Sequence, residues 1–161
     1  MLNRIQTVFL FIALLLSGPS LAQPVRDLVV APISEPMILT VTAQGKTMEQ
    51  AVAALSQAIV NHNYTFVRQQ AIDSRLVPYA EEVRSVRLVY FCNFAKMDSA
   101  LRLDFRATQM LPCRVTLVET PSGVDFIVVN PAWTSQNIPM LHAPCQELKQ
   151  DYLAILDEAS L

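Results

Sequence analysis

Glycine and histidine are scarce in this chain of 161 residues, which contains three glycines and two histidines. This scarcity excludes several common sites, because phosphate loops need clustered glycines and hydrolytic triads need a histidine base. No G-x-S-x-G, H-E-x-x-H or glycine-rich phosphate motif occurs. The formal net charge is −2 and the Lys and Arg residues are dispersed, which excludes a basic surface for nucleic acid. The sequence identifies no reaction and no catalytic residue, and it favours a protein that is not an enzyme.

Long apolar runs are confined to the N-terminus, where residues 8–16 are all apolar. Arg4 precedes this run, and small residues follow it at Ser20 and Ala22. These are the parts of a secretory signal peptide, and the run is shorter than the roughly 20 residues that a membrane span needs. We predict a signal peptide over residues 1–22, cleavage between Ala22 and Gln23, and a periplasmic protein with no remaining membrane span.

The rest of the chain predicts one domain, residues 37–161, after a loosely ordered segment, residues 23–36. Thr47 and Gln50 have the spacing of a capping box, and apolar residues follow at helical spacing to about residue 61. Pro144 suits the first turn of a second long helix. A short helix is predicted over residues 97–106, with Leu101 and Phe105 stacked one turn apart.

Strands and loops are predicted between these helices. Alternating and β-branched patterns indicate strands at residues 37–42, 64–72, 85–94, 114–119 and 124–129. Residues 73–82 and 132–141 are predicted as loops. The elements together predict an α+β fold, with an antiparallel β-sheet of four to five strands packed against two longer helices and the short helix in a strand connection.

Three segments of the sequence occur in the order that is typical of one family: Val89-Tyr90-Phe91-Cys92-Asn93-Phe94, Leu111-Pro112-Cys113-Arg114-Val115 and Val129-Asn130-Pro131. With them the chain resembles the exported proteobacterial branch of domain-of-unknown-function family 302, over residues 41–161. The resemblance implies a small α+β domain with an antiparallel sheet and packed helices, often a homodimer. It implies no established activity.

Export would place Cys92, Cys113 and Cys145 in an oxidising compartment, where disulfides persist. The number is odd, so at least one thiol is unpaired within a monomer. Cys92 is near the end of one predicted strand and Cys113 is at the start of the next. They lie at the same end of the sheet only if those strands are antiparallel, as the family's fold implies. A Cys92–Cys113 disulfide, two buried free thiols, and a redox or metal role remain open.

A second group of candidate ligands is Met140, His142 and Cys145, to which Met110, three residues before Cys113, adds another sulfur. Soft sulfur ligands with imidazole suit copper as Cu(I), and also haem iron. Their spacing matches no known motif, and ordinary loop and packing roles are the alternative. Because Cys145 is expected in the first turn of a helix, its pKa is expected to be lowered.

Three functions are compatible with these observations. The leading hypothesis is an exported binding or accessory protein with a disulfide, soft-metal or haem site at the cysteine-bearing strand ends. The alternatives are a thiol-disulfide redox enzyme that uses Cys92 and Cys113, and a structural homodimeric interaction module. An apolar pocket is a further possibility, with a filled core as its alternative, and its candidate lining is aromatic: Phe91, Phe94, Phe105, Phe126, Tyr90 and Tyr152.

Overall fold

An antiparallel sheet forms the centre of the computed structural model, which describes residues 35–72 and 85–161. Within these residues it has five strands in the spatial order β1-β5-β4-β3-β2, and every neighbouring pair is antiparallel. The strands are β1 Ile38–Gln44, β2 Thr65–Ala71, β3 Ser85–Cys92, β4 Cys113–Thr120 and β5 Gly123–Val129. The α+β fold predicted from the sequence is confirmed.

Helices connect and cover these strands. They are α1 Met48–Asn61, α2 Phe94–Leu103, α3 Pro131–Thr134 and α4 His142–Ser160, with 3₁₀ helices at Phe105–Met110 and Pro139–Leu141. The two longer helices, α1 and α4, pack against each other and against the sheet. None of the helices in the described ranges is long and apolar enough to cross a bilayer.

The core lies between the sheet and these two helices. Val115 and Leu117 of β4 and Phe126 of β5 project from the covered face and are at most 1% exposed. Leu55 of α1 and Ile155 of α4 meet them and are fully buried. Side chains alternate along a strand, so the residues between these strand positions form the opposite, open face of the sheet.

Two predictions for the chain between β3 and α4 are wrong: the bounds of the short helix, predicted over residues 97–106, and the loop predicted over residues 132–141. The short helix begins at Phe94 and ends at Leu103, and a 3₁₀ helix follows it instead of a continued α-helix. Asp104 accepts a hydrogen bond from the Arg106 backbone N–H and begins this new helix, which leaves Phe105 77% exposed. Phe94 is also exposed, at 66%. These two aromatic side chains therefore do not contribute to the core.

The predicted loop over residues 132–141 contains α3 and the second 3₁₀ helix. The reason is Asn130, whose Oδ1 accepts a hydrogen bond from the Ala132 backbone N–H and so caps α3. Asn130 is fully buried, and its Nδ2 donates to the Pro36 carbonyl oxygen at 2.8 Å. The predicted signal peptide, residues 23–34 of the predicted leading segment and the predicted loop at 73–82 lie outside the described residues.

Candidate functional site

The three cysteines are buried free thiols around one end of the sheet. β3 ends at Cys92, β4 begins at Cys113, and the register places Phe91 opposite Cys113. Cys92 and Cys113 therefore lie at the same end of neighbouring antiparallel strands and belong to the same buried cluster. Cys145 is near the start of α4. The Cys92–Cys113 disulfide itself stays a prediction.

Burial controls the ionisation of the strand-end thiols. Desolvation, with a smaller contribution from the neighbouring Cys113, raises the pKa of Cys92 to about 11. Desolvation also raises the pKa of Cys113, although hydrogen bonding with the Tyr152 hydroxyl and with Cys92 acts in the opposite direction. Both side chains are therefore neutral thiols near pH 7, and neither is held as the reactive thiolate.

The Cys145 thiol contacts a second sulfur atom. Its Sγ donates a hydrogen bond to the Met110 Sδ across 3.5 Å. Burial raises the pKa of Cys145, while a hydrogen bond with Ser135 lowers it by a smaller amount. The lowered pKa expected for a helix start is therefore wrong. At 2% exposure the thiol has lost its hydration, and this desolvation is the largest cause of the shift.

A cavity of about 280 Å³ lies beside these thiols, and both Cys113 and Cys145 line it. Met97, Ala100 and Leu148 contribute an apolar part of its wall. Two cysteines thus line one partly open cavity, although they come from β4 and α4, which are distant in sequence. Such a cavity can hold a small ligand or a metal ion against sulfur.

A charged group lines the same cavity. The Lys96 Nζ donates to the Asp151 Oδ2 at 2.6 Å and to the Glu147 Oε1 at 2.7 Å. The Tyr64 hydroxyl donates to the same Asp151 oxygen at 2.5 Å. Partial burial by itself would lower the pKa of Lys96, but the two carboxylates outweigh it and raise the pKa. The group joins α2 and α4 to the segment that leads into β2.

Aromatic rings pack beneath Cys113. The Phe91 ring, opposite Cys113 in the register, lies 5.6 Å from the Tyr64 ring and 5.3 Å from the Tyr152 ring, measured between centroids. Burial raises the pKa of both tyrosines well above the usual range, Asp151 adds to the shift of Tyr64, and Cys113 adds to that of Tyr152. The tyrosine hydroxyls are therefore fixed hydrogen-bond partners near neutral pH.

The predicted ligands are brought together only in part. Met110 contacts Cys145, whereas the His142 Nε2 is 2.9 Å from the Gln136 carbonyl oxygen and Met140 is 59% exposed. Among residues 35–72 and 85–161, no group of three or more His, Cys, Asp or Glu side chains is arranged to hold a metal ion. Met110 and Cys145 are thus the two predicted ligands that the structure brings into contact.

The sequence did not single out Lys96, Tyr64 or Asp151. The three residues come from separate parts of the chain, and no local spacing relates them. Only Lys96 had a weak local signal, the asparagine at position 93, which is a preferred N-cap residue. The Asn93 Oδ1 accepts a hydrogen bond from the Lys96 backbone N–H and so fixes the start of α2.

Comparison with known proteins agrees with the resemblance seen in the motifs. The profile of the family described as "Domain of unknown function DUF302" matches residues 39–159. The chain belongs to the DUF302 family. It is similar to the crystal structure of an uncharacterized conserved DUF302 protein from Bacillus stearothermophilus, with a TM-score of 0.68 and 15% identity, over 78% of this chain and 99% of that chain. This similarity concerns the fold alone. No curated protein matches the DUF302 chain described here.

Proposed function

We propose that this DUF302 protein is an exported small binding protein that holds a soft metal ion, Cu(I), on cysteine and methionine sulfur. The observation that carries the proposal is the 3.5 Å contact between the Cys145 Sγ and the Met110 Sδ, beside a cavity that Cys113 also lines. Thiolate and thioether ligands select Cu(I) over harder ions. Export rests on the signal-peptide pattern of residues 1–22.

The size and the protonation of the site specify its chemistry further. At about 280 Å³ the cavity is smaller than most cofactor pockets, which occupy about 300–1,000 Å³, and this favours a bare ion over haem. Because burial raises the pKa of Cys113 and Cys145, the ion must displace a proton from each thiol that it binds. We therefore expect proton release on binding, and a higher affinity at pH 8 than at pH 6.

Anaerobic titration of the reduced protein with Cu(I), against a chromophoric Cu(I) chelator, tests this proposal. We expect about one bound ion per chain, since Cys113 and Cys145 line one cavity and Met110 contacts Cys145. Cys113→Ser and Cys145→Ser each remove a ligand and should abolish competition with the chelator. Met110→Leu keeps the side-chain volume but removes the thioether, and should weaken binding roughly tenfold or more.

Two variants serve as controls in the same titration. Met140→Leu alters an exposed methionine, and His142→Ala alters the histidine whose ring lies against the Gln136 carbonyl. Unchanged affinity in both would restrict the site to Cys113, Cys145 and Met110. A large loss in either would restore the wider ligand set predicted from the sequence. Equal Cu(I) affinity of the wild type and the Cys113→Ser/Cys145→Ser double variant would reject the proposal.

The second candidate function is thiol-disulfide exchange by Cys92 and Cys113. It is supported by their position at one end of neighbouring strands and by the influence of Cys113 on the pKa of Cys92. Their raised pKa values oppose it, because exchange requires a thiolate. Peptide mapping without reductant tests for the bridge, and three alkylatable thiols would rule it out. A reduction potential below about −300 mV indicates a structural disulfide, and a higher one supports exchange.

A further inference from the structure

A groove of about 600 Å³ lies beside the open face of the sheet, where α3 meets the ends of β1, β4 and β5. Arg114 and Thr116 are two residues apart on β4, so they project from the same face. The register places Ile127 opposite Thr116, and Val129 opposite Ile38. The groove is therefore floored by side chains of three adjacent strands and bounded on one side by α3: Ile38, Arg114, Thr116, Ile127, Val129 and Trp133.

Arg114 is the only charged side chain among the described residues that line this groove. It is exposed, and within residues 35–72 and 85–161 its guanidinium makes no ion pair, hydrogen bond or ring contact. The other arginines of these ranges all have partners: Arg68 over the Tyr90 ring, Arg87 with Glu49, Arg102 with Asp98, and Arg106 with Asp104.

We propose that this groove binds a small organic carboxylate that carries an apolar tail. A guanidinium binds a carboxylate through two parallel hydrogen bonds, and Arg114 has its donors available. The apolar floor of Ile127 and Val129 would cover the tail. A free inorganic anion or a short polar acid has no apolar part that could contact this floor. No acidic side chain among the described lining residues opposes the negative charge. The proposal rests on Arg114 and the apolar floor rather than on sulfur, although Met110 and Cys113 of the sulfur site also line the groove.

Trp133 makes the groove directly observable, because it is the only tryptophan of the chain and lines the groove. The protein produced from the full chain is titrated with octanoate below its micellar concentration, and Trp133 emission is followed. Octanol, acetate and octylammonium are titrated in parallel. We expect saturable binding for octanoate, with at least about tenfold weaker responses for the other three. An equal response to octanol or to acetate would overturn the proposal, since one half of the ligand would then suffice.

Substitutions in the groove separate the charge from the apolar floor. Arg114→Gln is expected to weaken octanoate binding roughly tenfold, and Arg114→Lys by less, because lysine keeps the charge but not the paired geometry. Arg102→Gln removes an exposed arginine from α2 and should leave the affinity unchanged. Octanoate affinity of Arg114→Gln equal to that of the wild type would overturn the proposal.

A second substitution keeps the proposal testable without changing Arg114. Val129 is 48% exposed on the floor, so Val129→Glu adds a carboxylate to the groove with little effect on the core. The new carboxylate should compete for Arg114 and abolish octanoate binding. Circular dichroism and Trp133 emission without ligand establish that each variant is folded. A folded Val129→Glu protein that binds octanoate as the wild type does would contradict the assignment.

Discussion

At the residue scale, burial determines the chemistry of the cysteines. Cys92, Cys113 and Cys145 are 6%, 3% and 2% exposed, and desolvation raises the pKa of each. A neutral buried thiol is a poor nucleophile but still becomes a ligand if a metal ion displaces its proton. Burial therefore opposes rapid thiol exchange at these cysteines and is compatible with the proposed binding of a soft ion.

A second residue-scale feature is Gly123 at the turn into β5, where φ is +147°. A Cβ at this position would overlap the Ala43 carbonyl oxygen of β1. We expect Gly123→Ala to lower the free energy of unfolding by about 2 kcal/mol or more, because it adds a backbone clash to a strained conformation. Urea unfolding measures the loss.

Gly45→Ala is the matched control for this prediction. Gly45 also has a positive φ, of +69°, but a Cβ there would meet no atom within 4 Å. The substitution should cost only the backbone strain, about 1 kcal/mol. Equal losses in the two variants would show that the approach of Gly123 to β1 contributes nothing to stability.

At the element scale, helix starts show what the sequence predicts and what it does not. The capping box at Thr47 and Gln50 is confirmed, with hydrogen bonds in both directions. Asn93 and Asn130 cap α2 and α3 with one side-chain acceptor each, but the sequence did not reveal these caps. Each follows directly on a strand, and an asparagine there also fits a turn, so only the tertiary path of the chain decides its role.

The cap of α1 provides the prediction at this scale. Thr47→Ala removes the side-chain oxygen that accepts from the Gln50 backbone N–H, and it should lower the free energy of unfolding by about 1 kcal/mol. Ser99→Ala is the control, because the exposed Ser99 hydroxyl bonds only to the Ala95 carbonyl within α2. Thermal unfolding of both variants measures the difference. A Thr47→Ala midpoint equal to that of Ser99→Ala would contradict the role of the cap.

At the scale of the whole molecule, the α+β class could be predicted because it depends on local periodicity. The strand order could not, since the first strand, β1, pairs with the last strand along the described chain, β5. The convergence of Tyr64, Lys96 and Asp151 follows from that long-range packing and left no short-range signal. The homodimer that the family resemblance implies stays a prediction, and analytical ultracentrifugation measures it.

The buried thiols also make the stability of the whole molecule depend on pH. An unfolded thiol ionises near pH 9, whereas the pKa of folded Cys92 is about 11. Between these values the unfolded state binds fewer protons than the folded state, so stability falls as pH rises. Burial raises the pKa of Tyr64 and Tyr152 as well, which extends the loss to higher pH.

We therefore expect ionisation of these groups to leave the urea midpoint unchanged between about pH 7 and 8. Between about pH 9 and 11 it should lower the midpoint. Cys92→Ser should make this alkaline decline shallower, because it removes one of the buried groups that must stay protonated. Phe105→Ala changes a side chain that is 77% exposed and should leave the slope unchanged. A midpoint that stays constant or rises above pH 9 would mean that the thiols and tyrosines are not buried in the folded protein.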